Sequence, residues 1–149
     1  MALEKQIQED LKAAMFAKDA TALASIRGIK AAIMLAKTAA GASDELTDAD
    51  IIKIIQKLVK QRKESAAIYT EQSRPELAEA ELAEAAIMEK YLPVQLSEEE
   101  VEETLKKIIA QVGAQSPADM GKVMGVATKA LAGQADGRLI STIVKRLLS

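Results

Sequence analysis

Cysteine and histidine are both missing from this 149-residue chain. Without cysteine there is no disulfide, no iron–sulfur cluster and no thiolate nucleophile. Without histidine, Ser-His-Asp and Cys-His catalysis and imidazole metal sites are excluded, and so is the commonest general base at neutral pH. Tryptophan is absent too, and the aromatic residues are Phe16, Tyr69 and Tyr91 alone. Recognition of single-stranded RNA by stacking bases on aromatic platforms has almost nothing to build on. Lys or Glu interrupts every hydrophobic stretch, so there is neither a secretory signal nor an 18-residue apolar run. From these absences the expectation is a soluble cytoplasmic protein with no membrane partner.

What is present reads as globular. Hydrophobic residues make up 49% of the chain and charged residues 28%, a balance that supports a buried core in one domain or two small ones. The net charge of −2 conceals a division along the sequence. Lys53, Lys57, Lys60, Arg62 and Lys63 form a basic stretch with no acid among them. Ten glutamates against Lys90 follow between Glu76 and Glu103, and from Thr104 onward seven cations face only Asp119 and Asp136. Two basic regions flank an acidic one. Solvated helix faces with local ion pairing account for such a pattern, and so does binding of a polyanion.

The hydrophobic spacing predicts an all-α fold. Leu3, Ile7, Leu11 and Met15 repeat every four residues as one apolar stripe. Asp19 or Thr21 caps a second helix through Leu23, Ile26, Ile33 and Ala36, which ends in the loop from Ala39 to Ser43. Thr47 with Asp50 has capping-box spacing and opens a long helix with Ile51, Ile55, Leu58, Val59 and Ile68. Ser73, Pro75 and Glu76 read as N-cap, helix-start proline and acidic third position of a fourth helix running to Lys90. Pro93 is the clearest boundary. Ser97 with Glu100 starts a fifth helix that Gly113 stops. Ser116-Pro117-Ala118-Asp119 starts a sixth, and the segment from Gly133 to Gly137 separates it from a seventh. The expected organisation is a helical N-terminal domain over 1–92 and a compact three-helix domain over 93–149.

Candidate functional residues are cations. Lys53, Lys57 and Lys60 share one arc of the third helix, where their repulsion calls for a nucleic-acid backbone or the acidic fourth helix as partner. Lys122 and Lys129 lie seven residues apart on one face of the sixth helix. Arg138 opens the last helix, and Lys145 and Arg146 close it, where the helix dipole also favours them. Asp136 is placed to cap that helix. Gly121 and Gly125, each costing roughly 1 kcal/mol against alanine within a helix, fit close helix–helix approach. They form no Walker loop, because Gly121-Lys122 is followed by valine rather than Ser or Thr. Glu98, Glu99, Glu100, Glu102 and Glu103 occupy the first turns of a helix, where the dipole favours acids, and show no calcium-loop spacing. No metal, no cofactor and no catalytic residue is expected.

Ile26-Arg27, Ala31-Ala32-Ile33, the run Lys60 to Ser65, Tyr69 and Arg74 are followed by Tyr91-Leu92-Pro93, Gln95-Leu96-Ser97 and Glu99-Glu100. Asp119 to Gly125 and Ala135-Asp136-Gly137 complete the set, and in this order and spacing the chain resembles the YqeY family over nearly its full length. The end of the chain is also similar to the helical tail of the tRNA-dependent amidotransferase B subunit, through Gly121, Val123, Met124, Gly125, Lys129, Gly133, Ala135, Asp136 and Val144. Gly137 stands where that tail would have proline, and Ser73 where YqeY-like chains often have glycine. The resemblance implies tRNA as a partner, with Lys122, Lys129 and Arg138 as contacts, and a non-catalytic accessory role in tRNA-dependent amidation or tRNA metabolism. It implies a second possibility, a component of glutamine-dependent carbon–nitrogen ligase activity working with amidotransferase subunits. No ATP-binding loop or Ser-Ser-Lys amidase motif is present for the chemistry itself. A third reading is a protein-interaction module docking through the Ala- and Glu-rich fourth helix. Monomer is the default oligomeric expectation.

Overall fold

The computed structural model describes residues 2–39 and 46–149. Among these there are seven α-helices and no strand: α1 (Ala2–Ala17), α2 (Ala20–Ala39), α3 (Asp48–Glu71), α4 (Pro75–Glu89), α5 (Glu98–Val112), α6 (Met120–Ala130) and α7 (Gly137–Leu148), with a 3₁₀ turn at Pro117–Asp119 before α6. The fold is all-α. The chain divides into two compact units, Met1–Leu92 and Pro93–Ser149. The expected loop beyond Ala39 lies outside the described residues.

Helix boundaries follow local chemistry. Thr47 and Asp50 form a reciprocal capping box at α3, and Ser97 and Glu100 form one at α5. Asp19 caps α2, its Oδ1 accepting from the Ala22 N–H at 3.1 Å. Gly113 ends α5 at φ 70°, in the left-handed region that favours glycine. One expected cap is corrected. Ser73 does not cap α4; it sits at φ 59°, and the N-cap is Arg74 with no side-chain hydrogen bond. The Tyr69 carbonyl accepts the Arg74 N–H at 2.8 Å, which holds the tight α3–α4 reversal. This position has the geometry glycine adopts freely, so serine there carries a conformational cost.

The capping carboxylates make the fold acid-sensitive. The backbone N–H of Thr47 holds Asp50 below its ordinary 3.8, and that of Ser97 holds Glu100 below its ordinary 4.5, with the cap hydroxyls adding to each. A carboxyl lowered in the folded state stabilises wherever it is ionised in the unfolded chain. That contribution disappears as pH falls through the folded value. Thermal midpoints are therefore expected to hold from neutral pH to just above these ordinary values and to drop below them. Glu100→Gln should lose part of that drop, measured by circular dichroism melts across pH.

The first unit closes around Ile7, Ile26, Ile29, Ile33, Ile51, Ile55 and Met88, with Ala14, Val59 and Ala85 completing the packing. Here the four-residue stripe of α1 drifts, because each step of four advances 400° around the helix. Met15 consequently turns outward, 55% exposed, and Ala14 takes the inner place. Ile68, expected in the α3 core face, is also exposed. Gly28 serves close packing: a Cβ there would lie 3.3 Å from Arg62 Nη2 and 3.6 Å from Met88 Cε. The second unit has its own core of Val101, Leu105, Ile108, Val123, Ala127, Leu131, Ile140, Ile143, Val144 and Leu148. The entering segment is tied down by the Leu96 N–H donating to the Gln134 carbonyl at 3.0 Å and by Gln95 Nε2 donating to the Gly133 carbonyl at 2.6 Å.

Candidate nucleic-acid interface

In α6 the buried positions are Val123 and Ala127, with Met120 and Met124 partly buried. A helix turning 100° per residue then places Lys122, Gly125 and Lys129 along the opposite side, and all three are exposed. Gly121 borders that stripe. The expected close helix–helix approach at Gly121 and Gly125 is not found among the described residues, since no atom of another helix lies within 4 Å of a Cβ built at either. Both glycines face outward because the apolar period of α6 gives its inner side to valine, methionine and alanine. Asp119 precedes this stripe. Its carboxylate accepts the Gln115 N–H at 3.0 Å, and that backbone bond holds it below its ordinary 3.8, with the N–H of Ser116 and the charge of Lys122 adding to the effect.

Helix α7 has the same division. Ile140, Ile143, Val144 and Leu148 are buried, whereas Arg138, Thr142 and Lys145 follow one another along the exposed side. Asp136 caps the helix, its Oδ1 accepting the Arg138 N–H at 3.4 Å. Arg146 sits 80° around from Arg138 and is turned toward α5, with Nη2 3.2 Å from Glu102 Oε1. Glu102 also has Lys106 Nζ at 4.0 Å. Arg146 thus has a structural task, and reversing its charge would set two acids against each other. Lys107, exposed on α5, belongs with the exposed cations of this unit. Sequence reasoning misses it because five glutamates stand just before it.

On α3, the acidic helix α4 has partners in Arg62 and Lys63. Arg62 Nε lies 3.6 Å from Glu81 and 4.0 Å from Glu84, and Lys63 Nζ lies 2.6 Å from Glu89. Residues 62 and 63 flank the buried Ala66 line that faces α4, whereas Lys53, Lys57 and Lys60 lie on the exposed side. Lys60 takes part in an interaction of its own within the chain. Lys53 adds its charge to the surroundings of Asp50.

No group of three or more acidic side chains among the described residues is arranged to hold a metal ion, and no helix among them is long and apolar enough to cross a membrane. The molecule so far is an all-α protein of two compact units, with cations on the outer faces of the last two helices. The chain belongs to the Yqey-like protein family, whose model matches residues 4–148. It is 36% identical over 124 residues to "Altered inheritance of mitochondria protein 41, mitochondrial" of Meyerozyma guilliermondii, covering 80% of this chain and 64% of the relative. The protein of the same name in Clavispora lusitaniae is 37% identical over 116 residues, 76% of this chain and 66% of the relative. A 76-residue stretch, 48% of this chain, is 42% identical to 11% of the E subunit of the Glutamyl-tRNA(Gln) amidotransferase of Thermococcus gammatolerans. The chain thus spans just under two-thirds of the length of the first two relatives.

These relatives correct the cytoplasmic expectation, because the full-family relatives are named as mitochondrial proteins. The expectation rested on the absence of a signal and of an apolar run, and neither absence specifies a compartment.

Proposed function

We propose that the chain is a non-catalytic, tRNA-associated helical protein whose second unit meets the RNA backbone through Lys122 and Lys129 on α6 and Arg138 and Lys145 on α7. The observation that carries this reading is the outer face of α6. There Lys122 and Lys129 flank Gly125, where a Cβ would meet no atom of the described residues within 4 Å apart from its chain neighbours and its own helix backbone. Cations that contact phosphates supply sequence-independent affinity, and with three aromatics in the chain the binding depends on shape and backbone charge. Similarity to a tRNA amidotransferase subunit supports tRNA as the RNA class. Titration of tRNA with the chain tests it: binding is expected for wild type, and absence of binding at low salt rejects it.

The glycines supply a separate test. Gly125→Ala should stabilise α6 by roughly 1 kcal/mol, because alanine gains in helix propensity and meets no neighbour. The same substitution should weaken tRNA binding, since the added methyl stands between Lys122 and Lys129 where the backbone must approach. A variant that is both more stable and an unimpaired binder would remove α6 from the interface.

A second reading is favoured by the amidotransferase match itself. On that reading the chain contributes to glutamine-dependent amide transfer in company with partner subunits. Adding the purified chain to reconstituted amidotransferase decides it, and unchanged turnover rejects it.

A further inference from the structure

Helix α3 carries cations on two sides, and α4 takes up those of one side. Arg62 and Lys63 meet Glu81, Glu84 and Glu89. Lys53 and Lys57 are exposed on the other line, about 6 Å of helix axis apart. Among the described residues neither stands in an ion pair. Like charges four residues apart on a helix repel, and an external anion relieves that repulsion. Lys60, exposed on the same line, has an interaction within the chain, so the contact is assigned to Lys53 and Lys57 alone. Two acids bound the line. Asp50, three residues before Lys53, accepts the Thr47 N–H at 3.0 Å and feels the Lys53 charge. Glu64 follows Lys60 by four residues. Lys57 stands about 10 Å along the axis from each, one Debye length at ordinary salt.

We propose that Lys53 and Lys57 form a second phosphate contact for the same RNA, in the first unit, an inference that rests on the reading of the chain as tRNA-associated. The surroundings select a nucleic-acid backbone over a protein. Protein interfaces have an apolar centre and are poor in lysine, whereas nucleic-acid interfaces are polar and positively charged. Part-buried Gln56 and exposed Gln61 border the lysine line, and Ile54 and Leu58 pack against the core. The exposed large hydrophobic residue of α3 is Ile68, about three turns beyond Lys57. Lysine acts on phosphate as a point charge, so the contact carries no sequence preference.

Two contacts in one chain make the second one intramolecular. Once the second unit holds the RNA, α3 meets phosphate at an effective concentration on the order of millimolar, and a contact too weak to act alone adds to affinity. Its share falls as salt rises. The log–log salt plot is therefore bent. Above about 100 mM salt the second unit alone sets the slope, and at lower salt two further phosphates steepen it by about 1.4–1.8.

Titration of tRNA with the full chain from about 20 mM to about 200 mM salt tests this. The Lys53→Gln, Lys57→Gln variant should bind about 3- to 10-fold more weakly at the low end, give a straight plot and keep the wild-type line at high salt. The Lys12→Gln, Lys18→Gln variant removes the same charge from exposed positions of the first unit outside α3 and should keep the bend. Circular dichroism melts should show no loss of stability in the α3 variant, because a repelling pair has been removed. Acetylation of lysines read by mass spectrometry is the second readout. Transfer RNA should protect Lys53 and Lys57 at low salt and release them at high salt, while Lys122 and Lys129 stay protected at both. A straight wild-type plot, equal loss in the Lys12→Gln, Lys18→Gln variant, or undiminished acetylation of Lys53 and Lys57 would each overturn the α3 contact and leave the second-unit face standing. Protection of Lys53 and Lys57 without Lys122 and Lys129 would uphold α3 and reject the second-unit face. Absence of any binding rejects both. Stronger protection of Lys53 and Lys57 by polyglutamate than by tRNA would assign the line to an acidic protein and overturn the proposal as well.

Discussion

Wild-type chain is expected to bind tRNA with a log–log salt slope of roughly −2 to −3, the value for about three neutralised phosphates. A fourfold rise in salt should then weaken binding roughly 20- to 60-fold. The Lys122→Glu, Lys129→Glu, Arg138→Glu variant should lose measurable binding at salt concentrations where wild type is half-saturated. The substitutions suit this test because all three side chains are exposed. Lys122 and Arg138 lie in the first turns of their helices, where glutamate is favoured by the dipole. Lys129 lies in the last turn of α6, and reversal there costs only about 0.3–1 kcal/mol. A folded variant that binds with the wild-type slope would move the RNA surface elsewhere, and Lys53 and Lys57 on α3 would become the next cations to reverse. Arg146 is a poor choice for the same experiment. Its ion pair to Glu102 ties α7 to α5, so a loss of binding there would mix charge with stability.

Leu105→Ala is expected to abolish the same binding without changing any charge. Leu105 is completely buried in the second unit, packed among Val101, Val123, Ile140 and their neighbours. Removing a buried leucine side chain costs about 2–5 kcal/mol, depending on how far the surroundings collapse into the space. A single core in a unit this small rarely supplies more than about 3–5 kcal/mol. The substitution therefore removes most of what keeps α5, α6 and α7 together. Hydrogen exchange read by peptide should show lost protection across Glu98–Leu148, and tRNA affinity should fall with it. Wild-type protection in those peptides would contradict the packing described for this core.

The helices were legible because their signals are local. Capping boxes at Thr47 and Ser97, the stop at Gly113 and the proline at 75 act within four residues of themselves, and each stands where its spacing placed it. Ser73 misled because a serine three residues before a glutamate looks like a cap, while the reversal needed there required a left-handed residue. Met15 misled because a strict four-residue repeat departs from the 3.6-residue period by about 40° at every step. The cation groups were visible as charge, but their partners were not. Arg62 and Lys63 belong to one basic run in sequence, and it is the line of α3 facing α4 that brings them to Glu81, Glu84 and Glu89.

The sequence by itself determined the helical class, most helix boundaries, the family and the chemistries that a chain without cysteine or histidine cannot perform. These follow from residue identity and short-range hydrogen bonding, which do not depend on distant contacts. Tertiary structure alone decided that Arg62 and Lys63 pair with α4, and that Gly121 and Gly125 face outward rather than into a helix contact. Those facts depend on how helices distant in sequence rotate against each other to bury their apolar sides. Rotation by a single residue, about 100° around a helix, exchanges a buried position for an exposed one.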